Sequence, residues 1–329
     1  MTWFFKVIAR YARWITAVAS LVTWGQVAAQ NVNFPTRSLK IVVPTSPGSG
    51  SDTTARYFAD QLATALGQPV VIDNKPGANG TIAVMAVKQA PADGYTLFLG
   101  TNTHMAVNPV ILKDIQYDAV KDFKPVTGLA RGMMLFVASP NLKISTLADL
   151  VASAKSSRQQ LNVGSYTAGF HLSAEWFASV SGTKHVNVMY KGAPEVFIGL
   201  MGDQLDWAVS DLIAAMPQVK AGKIKGLAVS GDKRHADYPD IPTVKESGFP
   251  DYVNYTWTSI YIRSETPDAV TARLVDVMQK ILATPSARDF IAKIGSEPMP
   301  PGPVEMRKFQ LSETERFRQI ANAAGIKPE

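Results

Sequence analysis

Apolar and polar positions alternate in blocks along this chain of 329 residues. "SLKIVVP" is a short apolar run bounded by turn formers, which predicts a buried strand. After it, Ala55, Phe58, Ala59, Leu62, Ala65 and Leu66 recur at three- and four-residue spacing. That is the period of an amphipathic helix, and Gly67 ends it. "PVVIDNKPG" predicts a second strand and "GYTLFLG" a third. "TIAVMAVKQA" between them reads as a helix, although its valines also suit a strand. This β-α-β-α-β run predicts a parallel sheet with helices on its faces.

The pattern restarts after Arg131. "MMLFVAS", "LNVGS", "VNVMYKG", "LDWAVSD" and "IKGLAVSG" read as strands. "TLADLVASAKSS", "LSAEWFASVSG" and "PEVFIGLMG" read as helices between them, and "AAMPQVKAG" as a helix broken at its proline. A turn-rich stretch, "DKRHADYPDIPTVKESGFPDY", has no apolar period and reads as an excursion or a crossing. "NYTWTSIYIRS" is strand-like, and two helical runs close the chain. There is no fixed-period repeat. The length suits about two domains. The simplest topology is two α/β lobes with a cleft where strand ends face each other.

The first residues belong to another class. Lys6, Arg10 and Arg13 precede an uncharged segment, and Val27 and Ala29 supply small residues before Gln30. This is the layout of a secretory signal peptide over 1–29. The alternative is an uncleaved anchor, but the apolar core is short against the roughly 20 residues of a membrane span. The mature chain then begins at 30, and the expected lobes are 30–131 plus 251–329, and 132–250. Removing three basic residues leaves 30 basic against 27 acidic, a net +3. So mild a charge argues against a nucleic-acid binder, which needs clustered Lys and Arg. The absence of cysteine excludes disulfides, thiol nucleophiles and a lipidated N-terminal Cys. The expected address is a periplasm, and the product soluble, unlipidated and monomeric.

The candidate chemistry lies in loops that follow strands. "PTSPGSGSD" lacks the lysine and hydroxyl of a P-loop, and Thr53 stands where a dinucleotide fingerprint needs glycine. What remains is a strand end, a tight turn and a helix N-terminus, whose free amides favour anions. Asp52 sits where it could cap that helix. "PGANG", "GTNTH" and "GSYTAG" repeat the arrangement; the first could instead be a hairpin, since Asn-Gly favours such turns. Ligands of open α/β sheets bind outside the carboxyl ends of strands. Four such loops would line one cleft with amides and hydroxyls and little positive charge, which suits a carboxylate. His104, His171, His185 and His235 are scattered, with no metal-ligand spacing. No cofactor or metal is expected. Trp176, Trp207 and Trp257 read as core, with Trp257 and Tyr255 the aromatics placed best to face the cleft.

Several stretches together resemble one family. They are "VVPTSPGSGSDTTAR", "LGQPVVIDNKPGANGTIA", "APADGYTLFLGT", "YDAVKDFKPVTGLA", "LNVGSYTAGFHLSAE", "VMYKGAPEVFIGLMGDQLDW" and "VKAGKIKGLAVSGDKRHADYPDIPTVKESGFP". In this order they are similar to the Bug family, the substrate-binding proteins of tripartite tricarboxylate transporters. The resemblance spans nearly the whole mature chain. It implies a two-lobed type II periplasmic binding protein, a clamshell whose lobes are mainly parallel sheets flanked by helices. It implies a non-enzymatic role, a carboxylate ligand, and delivery to membrane permease subunits. Carried over residue by residue, it points to Ser46, Gly48, Ser49 and Ser51, to Thr101 and Asn102, to Ser165, Tyr166, Thr167 and His171, and to Asp211. "PGSGSD" departs from the frequent "PGGxxD", and Tyr166 and Phe170 stand where smaller residues are common. Both departures favour an aromatic carboxylate over a small citrate-like acid. The alternatives are a ligand sensor on the same fold, or a hydrolase using His171 or His104 as base.

Overall fold

The computed structural model describes residues 33–328, so the expected signal segment lies outside the described residues. Ten strands form one sheet: β1 (Leu39–Val43), β2 (Val70–Asn74), β3 (Thr96–Thr101), β4 (Phe123–Ala138), β5 (Leu161–Ser165), β6 (His185–Met189), β7 (Trp207–Asp211), β8 (Lys225–Val229), β9 (Tyr255–Arg263) and β10 (Ser296–Pro298). The helices on its faces are α1 (Gly50–Leu66), α2 (Thr81–Lys88), α3 (Asn108–Ile111), α4 (Leu147–Ser156), α5 (Ala168–Ser181), α6 (Ala193–Met201), α7 (Leu212–Lys220), α8 (Asp268–Ala283), α9 (Pro285–Lys293) and α10 (Pro303–Ala323). A π-helical turn, Thr103–Val107, leads into α3.

The sheet runs β2-β1-β3-β9-β4-β7-β5-β6, with β8 and β10 also paired to β4. β1, β2 and β3 are parallel, as are β5, β6 and β7. The two long strands β4 and β9 run antiparallel to each other and join these parallel sets. β4 is continuous across the point where the pattern suggested a restart. Its first part pairs with β9, and its last five residues pair with β7 and β8. Pro125 and Gly128 obscured that continuity by breaking the alternation. The register shifts at those positions, where bulges absorb the irregular residues.

Each half has its own apolar core. One packs Phe136 against Phe177, Trp207 and Tyr252, with ring centroids 5.0 to 6.0 Å apart. The other gathers Val42, Phe98, Phe123, Tyr261 and Phe317, all buried. Helix α1 ends on Gly67, whose φ of 67° is the left-handed conformation that glycine adopts without strain. Helix α4 starts with a capping box between Thr146 and Asp149. The broken run at Pro217 forms one helix, α7, with the proline inside it.

The register fixes where the strand ends meet. Thr101, the last residue of β3, pairs with Thr258, and Thr258 pairs with Ala130 of β4. Asp211, the last residue of β7, pairs with Met134 of the same strand. The carboxyl ends of both parallel sets therefore converge within four residues at the middle of β4.

Candidate functional site

A cavity of about 40 Å³ opens at that convergence. One water needs roughly 10–15 Å³ by the same kind of measure, so it has room for a few. Ser51, Thr101, Asn102, Tyr166, Thr167 and Asp211 of the sequence-derived set line it together. Ser46, Gly48, Ser49, Ser165 and His171 do not. Ser165 is fully buried and donates to Asn187 Oδ1 at 2.6 Å, tying β5 to β6. His171 points the other way, toward Glu175.

Helix N-termini dominate the lining. α1 contributes Gly50, Ser51 and Thr54, α5 starts just after Thr167, and α7 starts just after Asp211. None of the three helices has a hydrogen bond to its own N-cap side chain, and the first amide of α1, that of Gly50, faces Asp211. Each carries the positive end of a helix dipole to the same place. None of the lining residues is Lys, Arg or His.

Asp52 is not the N-cap. The helix begins earlier than its pattern indicated, with Ser49 at the cap and Asp52 inside the first turn. From there Asp52 reaches back to accept the Gly48 amide at 2.9 Å, and it also accepts from Arg56 and Asn74 at 2.9 Å each. Burial pushes its pKa up, but hydrogen bonds from Arg56, Gly48 and Asn74 outweigh that and hold it below the usual carboxylate range.

Asp211 is the one carboxylate in the lining. Tyr166 O–H donates to its Oδ2 at 2.6 Å, and the Gly50 amide faces it as well. Burial raises its pKa despite these donors. The Asp211 charge and its own burial raise Tyr166 in turn, burial most, so the phenol stays protonated and donates. Around this pair stand polar contacts between segments distant in sequence. Thr103 and Thr167 hydroxyls meet at 2.9 Å, and Thr256 donates to Asn102 Oδ1 at 3.1 Å. The remaining wall is apolar: Met133, Phe170, Leu212, Ile213 and Trp257. Tyr166 and Phe170 pack with centroids 4.4 Å apart. Trp257 lines this cavity, whereas Tyr255 lines a neighbouring groove with Arg131.

The histidines offer no base to the cavity. His104 is buried, burial drops its pKa to about 3, and its Nδ1 lies 2.9 Å from Thr101 Oγ1. His171 and His185 flank Glu175; hydrogen bonds from His171, then His185, hold that carboxyl at about 2. His185 Nε2 is 2.9 Å from Glu175 Oε1, within ion-pair reach. Trp176 stacks on Tyr252 and Trp207 on Phe136, both in the core.

Sequence reasoning missed Thr45, Thr54, Thr103, Thr256 and the Ile294–Ser296 segment, all of which line the cavity. Thr45 and Thr103 adjoin residues that the loop pattern singled out. Ile294–Ser296 comes from beyond α9, and nothing in its local sequence marks it.

Residues 54–326 match the family described as the tripartite tricarboxylate transporter family receptor. The chain belongs to that family. A UPF0065 protein of Bordetella pertussis is 30% identical over 298 residues, 90% of this chain and 92% of that protein. An R. palustris protein solved with adipate superposes with a TM-score of 0.87 at 32% identity, covering 90% of this chain and all of that one. The periplasmic binding protein BugD superposes with a TM-score of 0.86 at 25% identity, again over 90% of this chain and all of BugD. The two-lobed periplasmic binding protein fold expected from the sequence is thus the fold of this chain.

Proposed function

We propose that this chain captures an organic acid in the cavity at the middle of β4, closes on it, and presents it to the membrane subunits of a tripartite transporter from the periplasm. The observation that carries the reading is the convergence of three helix N-termini, none capped by its own side chain, on a cavity lined by no cation. Such a site binds an anion through neutral amides and hydroxyls. The family and the adipate held by the R. palustris relative support a carboxylate as that anion. The apolar wall of Met133, Phe170, Ile213 and Trp257 suits an acid with a hydrocarbon or aromatic body. The lobes of this reading are residues 30–131 with 251–329, and residues 132–250. Capture without chemistry is supported by the receptor family that the chain matches and by the periplasmic binding protein BugD that it superposes on.

The test is a thermal-shift and calorimetric screen of mono-, di- and aromatic carboxylates, since a ligand that binds only the native state raises apparent stability. Adipate and benzoate are expected to bind more tightly than citrate, and to be recovered chemically intact. No binding by any acid, or conversion of a bound one, would contradict the reading.

A further inference from the structure

Ser46 and Ser49 turn away from the cavity and onto the segment that leads into α6. Ser46 O–H donates to Glu195 Oε1 at 2.8 Å, and the Ser49 hydroxyl accepts the Ala193 amide at 3.2 Å. The Ser46 amide donates to the Lys191 carbonyl at 3.4 Å. The approach is close: a Cβ on Gly192 would lie 2.6 Å from Ser46 Cβ and 2.9 Å from Ser49 Oγ. The serines belong to the half built on β1, and α6 to the half built on β5 and β7.

Each half supplies what a helix of the other lacks. α6 has no side-chain cap of its own, and Ser49 takes its first amide. α1 has none either, and its Gly50 amide faces Asp211. Glu195 sits in the first turn of α6, where the helix dipole favours a carboxylate. Among the described residues its Oε2 is buried with no hydrogen-bond partner, and its Oε1 accepts from Ser46.

Resting on the capture-and-close reading, we propose that Ser46, Ser49 and Glu195 form a latch between the halves, which sets affinity through the closed population and not through ligand contact. They are positioning residues. Apparent affinity scales with the fraction of protein in the binding-competent state. Weakening the latch therefore weakens every ligand by one common factor, whereas a change in the cavity wall shifts one ligand against another. Removing a hydrogen bond to a charged acceptor of this kind is worth roughly ten-fold.

The chain has no cysteine, so dyes on Thr64→Cys and Gln160→Cys, one exposed position in each half, can report closure by energy transfer. Unliganded Ser46→Ala/Ser49→Ala, which removes both hydrogen bonds, should show a closed-to-open ratio at least about ten-fold below that of the labelled parent, and adipate affinity should fall by the factor by which the closed fraction falls. Glu195→Gln, which keeps an oxygen acceptor and loses the charge, should fall between. An unchanged closed fraction in both variants overturns the latch, whether or not adipate binds. So does an affinity loss with no change in closure. If adipate binds neither parent nor variants, the assignment of the cavity to that acid fails, and the latch is judged on the unliganded closed fraction.

Discussion

Gly50 lies where the first turn of α1 meets the opposite half, and replacing it with alanine separates folding from closure. A Cβ there would sit 2.8 Å from Asp211 Cγ, 2.8 Å from Ile213 Cγ2 and 2.9 Å from Asp211 Oδ2. Neither neighbour can swing aside freely. Asp211 is held by Tyr166 at 2.6 Å, and both Asp211 and Ile213 are anchored at the β7–α7 junction. Overpacking of this kind costs about 1–3 kcal/mol. At 1.4 kcal/mol per decade, the closed-to-open ratio should fall roughly 5- to 140-fold, and adipate affinity by the factor by which the closed fraction falls. Within α1 itself the same change is favourable, since alanine in a helix is better than glycine by up to about 1 kcal/mol. Gly50→Ala should therefore keep or raise its unliganded unfolding midpoint in urea while losing affinity in calorimetry. Wild-type affinity in a folded Gly50→Ala protein would refute the reasoning, because the cavity would then work without the close approach of Gly50 to Asp211.

Further outcomes follow from the same contacts. Glu175 has its folded-state pKa lowered from 4.5 to about 2, so its contribution is present above about 4.5 and lost as pH falls toward 2. Glu175→Gln should lower urea stability at pH 7 and have little effect at pH 2. Asp211 shows the opposite sign: burial raises its folded pKa above the ordinary 3.8, so stability is lost as pH rises from about 3.8 through the folded value. Asp211→Asn, which can still accept from Tyr166, should stabilise the unliganded protein more at pH 8 than at pH 3 in urea titrations. Phe136 is fully buried against three aromatic rings, and Phe136→Ala should cost about 3–5 kcal/mol in urea unfolding. His185 lines no part of the cavity and packs against Trp207, so His185→Ala should leave the calorimetric affinity for adipate unchanged.

Periodicity made the parallel strands and their helices legible, because each element of those βα units buries one face. It failed at β4, whose proline and glycines hide a 16-residue strand inside what reads as a loop and a new beginning. It failed again after Ala283, where one helical run is two helices divided at Thr284 and Pro285. The loops of the site were readable as strand-to-helix turns, and their small polar residues pointed to the right ends of the right strands. Which side chains face the cavity was not readable. Ser46, Ser49 and Ser51 share one short loop, yet only Ser51 lines the cavity while the other two face Glu195 and Ala193. That division depends on where the opposite half docks, a long-range relation that local sequence does not encode. The same holds for Ile294–Ser296, brought to the cavity by the pairing of β10 with β4.

The central claim is that the cavity at the middle of β4 grips a carboxylate through uncapped helix N-termini and hydroxyls. Isothermal titration of the wild-type protein with the carboxylate panel at pH 7 tests it most directly. The account predicts one-to-one binding of at least one acid, with no loss of the acid after recovery. A folded protein that binds none of them, or that consumes the one it binds, would contradict it.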